Sequence, residues 1–195
     1  ACHDRLERFL VTWNKSVRLT GTAMLAAMVI VFDYTLKYSK LKIPFPWMPF
    51  LKFDFTGVPI VVALLLYGLP SATATSLVAS LGIIARSGDL IGGAMKGIAE
   101  LSTVIGMAIG LLLAGRAGQK GLASKGAALV TGLIFRVIVM SAWNLIALPA
   151  YYGIPYSAAV GMLSLLGLFN AMQGSISILF GHAIHEAYTR RFVAA

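Results

Sequence analysis

Charge is what this sequence has least of. Only 12% of its 195 residues are charged, with 7 acidic residues against 16 Lys and Arg, while 58% are hydrophobic and the mean hydropathy is +0.84. Too little polar surface remains to clothe a soluble core of this size, which excludes an ordinary water-soluble globule and makes the bilayer the solvent. A single cysteine, Cys2, excludes an internal disulfide and says nothing about redox compartment. The chain also lacks a Walker A pattern, HExxH, CxxC, a GxSxG elbow and paired catalytic carboxylates. P-loop ATP hydrolysis is thereby excluded, and no enzyme chemistry or metal site is expected. Repeats of fixed period, low-complexity tracts and domain-parting linkers are missing too, so residues 1–195 read as one membrane domain. Ala1–Val11 is polar and charged, unlike a cleavable signal peptide.

What is present is a succession of long apolar runs. Gly21–Tyr34, Thr56–Pro70, Ser71–Ala85, Ile91–Gly115, Leu122–Pro149 and Ala158–Ile184 are free enough of charge to cross a hydrocarbon core about 30 Å thick. The second and third runs each fall short of the ~20 residues of a straight span. Joining them into one helix would put Pro70 in its interior at a cost of about 3 kcal/mol and disfavour the α region at Leu69, so a helical hairpin broken at Gly68-Leu69-Pro70 is the better reading. The expected fold is an all-α integral membrane protein with six transmembrane helices between residues 17 and 186. Residues 1–16 precede them either as an amphipathic cytoplasmic helix with Leu6, Phe9, Leu10 and Trp13 on one face, or as a solvated tail.

Six spans put both termini on one side, together with Arg5, Arg8, Lys15, Arg18, Arg116, Lys120, Lys125, Arg190 and Arg191. Lys37, Lys40, Lys42, Lys52 and Arg86 fall on the other. The positive-inside rule then places both termini in the cytoplasm of a multi-pass cell-membrane protein and the loop at residues 37–55 outside. The net charge of +9 is a topology signal, not a nucleic-acid footprint, because no soluble domain is left to carry one.

The outer loop interleaves Pro44, Pro46 and Pro49 with Phe45, Trp47, Met48 and Phe50. It is a stiff aromatic segment suited either to cover an apolar ligand or to anchor at the headgroups. Inside the apolar runs, Lys96 and Glu100 stand one helical turn apart, which fits a salt bridge between them or a role in ligand or proton handling. Arg136 can either snorkel or pair with Asp33 or Glu100. Asn144, Asn170 and Gln173 sit in apolar surroundings, where amides either bond between helices or read the donor and acceptor edge of a neutral heterocycle. Ala23 and Ala27, with Gly21 and Ala26 nearby, allow close approach of another helix, internal or from a partner. His182, His185 and Glu186 lack a third ligand at metal-binding spacing and read as a solvated helix end.

Three stretches carry a family resemblance. Pro44-Phe45-Pro46-Trp47-Met48-Pro49-Phe50-Leu51-Lys52-Phe53-Asp54-Phe55-Thr56-Gly57-Val58-Pro59 is similar to a proline-rich loop followed by a pattern like L-x-x-D-F-S-D-x-P. Asn144-Leu145-Ile146-Ala147-Leu148-Pro149-Ala150-Tyr151 resembles an N-x-x-x-x-P-x-Y run, and Phe169-Asn170-Ala171-Met172-Gln173-Gly174 an F-N-x-x-K-G run. These belong to the substrate-binding S components of energy-coupling-factor (ECF) vitamin transporters, most closely the riboflavin-type branch. The resemblance implies a solitary vitamin binder, not an enzyme, whose outward pocket is covered by the first outer loop. It needs no cofactor, takes riboflavin as its transported ligand, and works with a transmembrane coupling subunit and two cytoplasmic ATPases. Asn144 and Asn170 match positions that bond the isoalloxazine ring, and Gln173 stands where the family has a ligand-contacting Lys. The substrate site implied is completed by Trp47, Asp54, Phe55 and Thr56 of the loop, Tyr151, and Lys96 with Glu100. Ala23 and Ala27 match the small-residue motif that meets the coupling subunit. The chain departs from the branch at Ser80-Leu81-Gly82-Ile83-Ile84, in place of a K-N-x-x-H-like segment, and at Lys96, in place of an Asn. Competing readings are an S component for another vitamin or heterocycle, a stand-alone proton-coupled carrier relaying through Lys96, Glu100 and Arg136, and an intramembrane enzyme built on His182, His185 and Glu186.

Overall fold

Six helices and one short β-hairpin make up the described residues of the computed structural model, 14–119 and 121–192. In chain order they are α1 (Lys15–Tyr38), β1 (Ile43–Phe45), β2 (Met48–Phe53), α2 (Gly57–Tyr67), α3 (Leu69–Ser87), α4 (Leu90–Arg116), α5 (Leu122–Tyr152) and α6 (Tyr156–Phe192). The amphipathic segment expected at the N-terminus lies outside the described residues up to Trp13. Four helices, α1, α4, α5 and α6, are long and apolar enough to cross a membrane.

The helix boundaries follow from local chemistry. Gly68, at φ 87°, separates α2 from α3, and Pro70 falls in the first turn of α3, where its missing N–H leaves nothing unpaired. The chain thus breaks where the Gly68-Leu69-Pro70 run predicts. Gly88 closes α3 in the left-handed conformation. Asp89 then caps α4, its Oδ1 accepting from the Gly92 N–H at 2.7 Å.

Contacts run around the bundle in the order α1, α3, α4, α5, α6, α2 and back to α1. The tightest seam is α4 on α5. A Cβ at Gly106 would lie 2.6 Å from the Thr131 carbonyl oxygen and 2.9 Å from Gly132 Cα, so glycine there is what lets the backbones meet. Ile60, Val61, Leu64, Val104, Met107 and Ile178 fill the inner core. Leu19, Met24, Val31, Leu81, Ile138 and Leu179 stay exposed, as a lipid-facing surface requires.

The loop at residues 37–55 differs from the all-α expectation. Residues 43–53 form an antiparallel hairpin, pairing Ile43 with Phe53 and Pro44 with Lys52, with an irregularity between Pro44 and Phe45. Prolines cannot donate to a ladder, which suits an isolated two-stranded edge. The hairpin also explains why the second apolar run is short. The 11 residues of α2 rise only about 16 Å at 1.5 Å per residue, and the hairpin, seated on α5 and α6, completes that corner of the bundle. Its apolar side forms a second core, in which Phe45 and Met48 pack with Leu148, Ala159 and Leu166.

Candidate functional site

Where β2 gives way to α2, the chain turns inward and buries Asp54 and Thr56. Gln173, from α6, holds this turn by its backbone. Its Nε2 donates to the Asp54 carbonyl at 2.8 Å and its Oε1 accepts from the Asp54 N–H at 3.3 Å. Thr56 adds its hydroxyl and its N–H to Asp54 Oδ1, at 2.7 and 3.2 Å. The foot of the hairpin is therefore fastened to the helix that carries the F-N-x-x-Q-G run.

From Asp54 an ion-pair string extends both ways. Inward, Lys96 Nζ lies 2.8 Å from Asp54 Oδ1 and 2.9 Å from Glu100 Oε1, and Arg136 Nη1 lies 3.3 Å from the same Glu100 oxygen. Outward, Lys42 Nζ lies 4.0 Å from Asp54 Oδ2 and 2.6 Å from Asp33 Oδ1, and Arg86 Nε lies 2.7 Å from Asp33 Oδ2. The order is Arg86, Asp33, Lys42, Asp54, Lys96, Glu100, Arg136, with signs alternating throughout. No side chain in it is more than 13% exposed. Lys96 and Glu100 do form the one-turn salt bridge, and Arg136 takes Glu100, not Asp33.

Burial alone would raise the Asp54 carboxyl, but Lys96 first, then Lys42, with the Thr56 hydroxyl, hold it down to about 2. Arg136 is further fixed by the Ala99 carbonyl at 3.3 Å, Thr103 Oγ1 at 2.9 Å and, through Nε, Asn170 Oδ1 at 3.3 Å. Asn170 Nδ2 donates to the Leu166 carbonyl at 2.9 Å. Asn144 follows Arg136 and Met140 at four-residue steps along the buried face of α5, and its Nδ2 donates to the Met140 carbonyl at 2.6 Å. Among the described residues, no hydrogen bond reaches Asn144 Oδ1 or Arg136 Nη2. Glu100 Oε2 is buried without a hydrogen-bond partner.

Beside this polar string lies an aromatic group. Phe45, fully buried, meets Phe169 edge-on at 5.6 Å, and Phe53 tilts against Phe169 at 5.1 Å. Phe53 immediately precedes Asp54 and Phe169 immediately precedes Asn170, so the aromatic group and the polar string are carried by the same two chain segments. Such an arrangement can stack a flat ring and orient its polar edge.

Six of the residues expected from sequence meet in one network: Asp54, Thr56, Lys96, Glu100, Asn170 and Gln173. Asn144 lies on the same buried face as Arg136 but shares no hydrogen bond with them. Three others lie outside it. Trp47 is exposed at the hairpin turn, touching Phe45 at 5.2 Å, Phe55 faces Phe180 at 6.1 Å, and Tyr151 is exposed near the end of α5. Ala23 and Ala27 are exposed on α1, while Ala26 is buried. Glu186 is taken by Lys125 and Arg190, and no group able to hold a metal ion occurs among the described residues. Lys42 and Arg86, which sequence reading counts only as outer charges, turn out to belong to the string. No spacing links them to Asp33, since the latter contact spans 53 residues.

No family model matches the chain, and no curated protein does. Among solved structures it is similar to the S component of a bacterial ECF transporter, with a TM-score of 0.75 and 24% identity over 93% of this chain and 100% of that one. At that identity the likeness establishes the fold.

Proposed function

We propose that this protein is the membrane-embedded substrate-binding subunit of an ECF vitamin transporter, with riboflavin or a related flavin as ligand. The observation that carries the reading is an aromatic hairpin whose foot is fastened by Gln173 to a buried polar string, within a bundle sharing the S-component fold. Phe53 and Phe169 would offer ring faces to a planar heterocycle, and Asn144 and Asn170 would bond its edge. Closure of the 43–53 hairpin would sequester it. Six membrane crossings are read from the six apolar runs, and cytoplasmic termini from the basic-residue asymmetry. Delivery would require a coupling subunit, docking on the exposed Ala23 and Ala27 of α1, and two ATPases, since the chain has no P-loop of its own.

The test is an absorbance spectrum of the detergent-purified protein with mass analysis of a denatured extract. A yellow preparation yielding a flavin mass is the expected result. A colourless preparation that also fails to quench added riboflavin fluorescence removes flavin as the ligand and moves the reading to another heterocycle.

A further inference from the structure

The ion-pair string has an odd number of members and begins and ends on arginine. Four cations, Arg86, Lys42, Lys96 and Arg136, face three carboxylates, Asp33, Asp54 and Glu100, leaving one positive charge in excess. Protonating any of the carboxylates would only enlarge the excess. The short contacts of Lys96, 2.8 and 2.9 Å to oxygens on either side, are those of charge-assisted bonds, so that link is an ammonium.

The two ends are not equivalent. Arg86 sits in the last turn of α3, beside the exposed Ser87 and Gly88, where the carbonyl end of the helix offers partial negative charge. Arg136 lies in the middle of α5 and is 2% exposed. Its other partners, the Ala99 carbonyl, Thr103 and Asn170, are neutral and leave its charge uncancelled beyond the shared Glu100 oxygen. Its Nη2 makes no hydrogen bond among the described residues. An uncompensated charge at membrane depth is costly and calls for a counter-charge.

We infer that the ligand is an anion, a planar heterocycle carrying a phosphate or a carboxylate whose charge completes the string at Arg136. The inference rests on the reading of this protein as a vitamin-binding subunit and adds to it the charge class of the substrate. Asn144 Oδ1, left unpartnered on the same face of α5, would take a donor from the neutral part of the ligand. Neutral riboflavin would fill the ring site but leave the charge unmet.

The test compares riboflavin with riboflavin 5′-phosphate by fluorescence quenching on the purified protein, at low ionic strength. The phosphate ester is expected to bind roughly tenfold tighter or better, as charge-assisted pairing at a buried guanidinium implies. That ratio should fall toward one in Arg136→Gln and persist in Arg136→Lys. Equal or weaker binding of the ester overturns the inference and leaves the flavin reading standing. A preference that survives Arg136→Gln overturns the assignment to Arg136. If neither flavin binds, the flavin reading fails separately, and melting curves with inorganic phosphate, acetate and chloride as sodium salts then decide. Stabilisation by phosphate or by acetate in the unmodified protein, lost in Arg136→Gln, supports the inference and tells the two anion types apart, whereas no stabilisation by either overturns it. The unmodified protein carries both comparisons, so a variant that fails to fold does not void them.

Discussion

At the residue scale, the amides divide the work. Gln173 spends its donor and its acceptor on the backbone of Asp54, so this amide fastens the foot of the hairpin. Asn170 and Asn144 each spend a donor on their own helix, while the Asn170 carbonyl oxygen accepts from Arg136 and that of Asn144 has no hydrogen bond among the described residues. Asn144→Ala and Asn170→Ala should each weaken ligand binding by about 1–3 kcal/mol with the fold intact, read by titration and by melting temperature. A melting temperature that falls with unchanged affinity would instead make them interhelical ties. Asp54 sets a pH dependence. Its carboxyl is held at about 2 in the fold against an ordinary 3.8, so its contribution is complete above the higher value and is lost as pH falls toward the lower. The stability difference between the unmodified protein and Asp54→Asn should therefore be flat from about pH 5 to 8 and shrink below about pH 4, in paired melts. A difference that declines already near neutral pH would contradict the strongly paired carboxylate. The ionisable residues at membrane depth were legible as candidates because each is expensive there. Their pairing was not, since Asp54 to Lys96 spans 42 residues and Asp33 to Arg86 spans 53.

At the element scale, the hairpin is the part the sequence disguises. Three prolines and four aromatics between residues 43 and 53 argue for stiffness, but the pairing of Ile43 with Phe53 depends on α6 supplying Phe169 and Gln173 beneath it. A lone two-stranded hairpin is marginal in stability, and only packing makes it persist. Gln173→Ala removes from its foot two buried hydrogen bonds to the Asp54 backbone and a longer one to its carboxylate, and should raise tryptic cleavage at the exposed Lys52 roughly tenfold. An unchanged rate would mean that the aromatic contacts alone hold the lid. The α4–α5 seam depends on absent side chains. Gly106→Ala pushes a methyl into backbone atoms of α5 and should destabilise by about 1–3 kcal/mol. Gly126→Ala, with open space around it, should be neutral or stabilise by about 0.5–1 kcal/mol in the same melting assay. The breaks at Gly68 and Pro70 were readable beforehand because they rest on steric limits local to one or two residues.

At the scale of the whole molecule, a closed ring of helices carries its polar string inside and its apolar surface outside, which fits a protein embedded in lipid. Ala23 and Ala27 face outward on α1 one turn apart, next to the buried Ala26, and two small side chains at that spacing allow another helix to approach. Ala23→Leu or Ala27→Leu should spare ligand binding and reduce uptake severalfold in cells carrying the coupling module. Equal loss of both would count against a docking role. By itself the sequence determined the bilayer as solvent, the apolar runs and the break between the second and third helices, because composition, run length and the backbone limits of Gly and Pro act locally. It also narrowed the polar groups worth attention to a few residues at membrane depth. Only the tertiary structure decided that seven of the charges form one alternating string ending on Arg136, and that Gln173 holds the hairpin down. Contacts between groups 42 to 119 residues apart are set by how helices pack, and no local spacing encodes them.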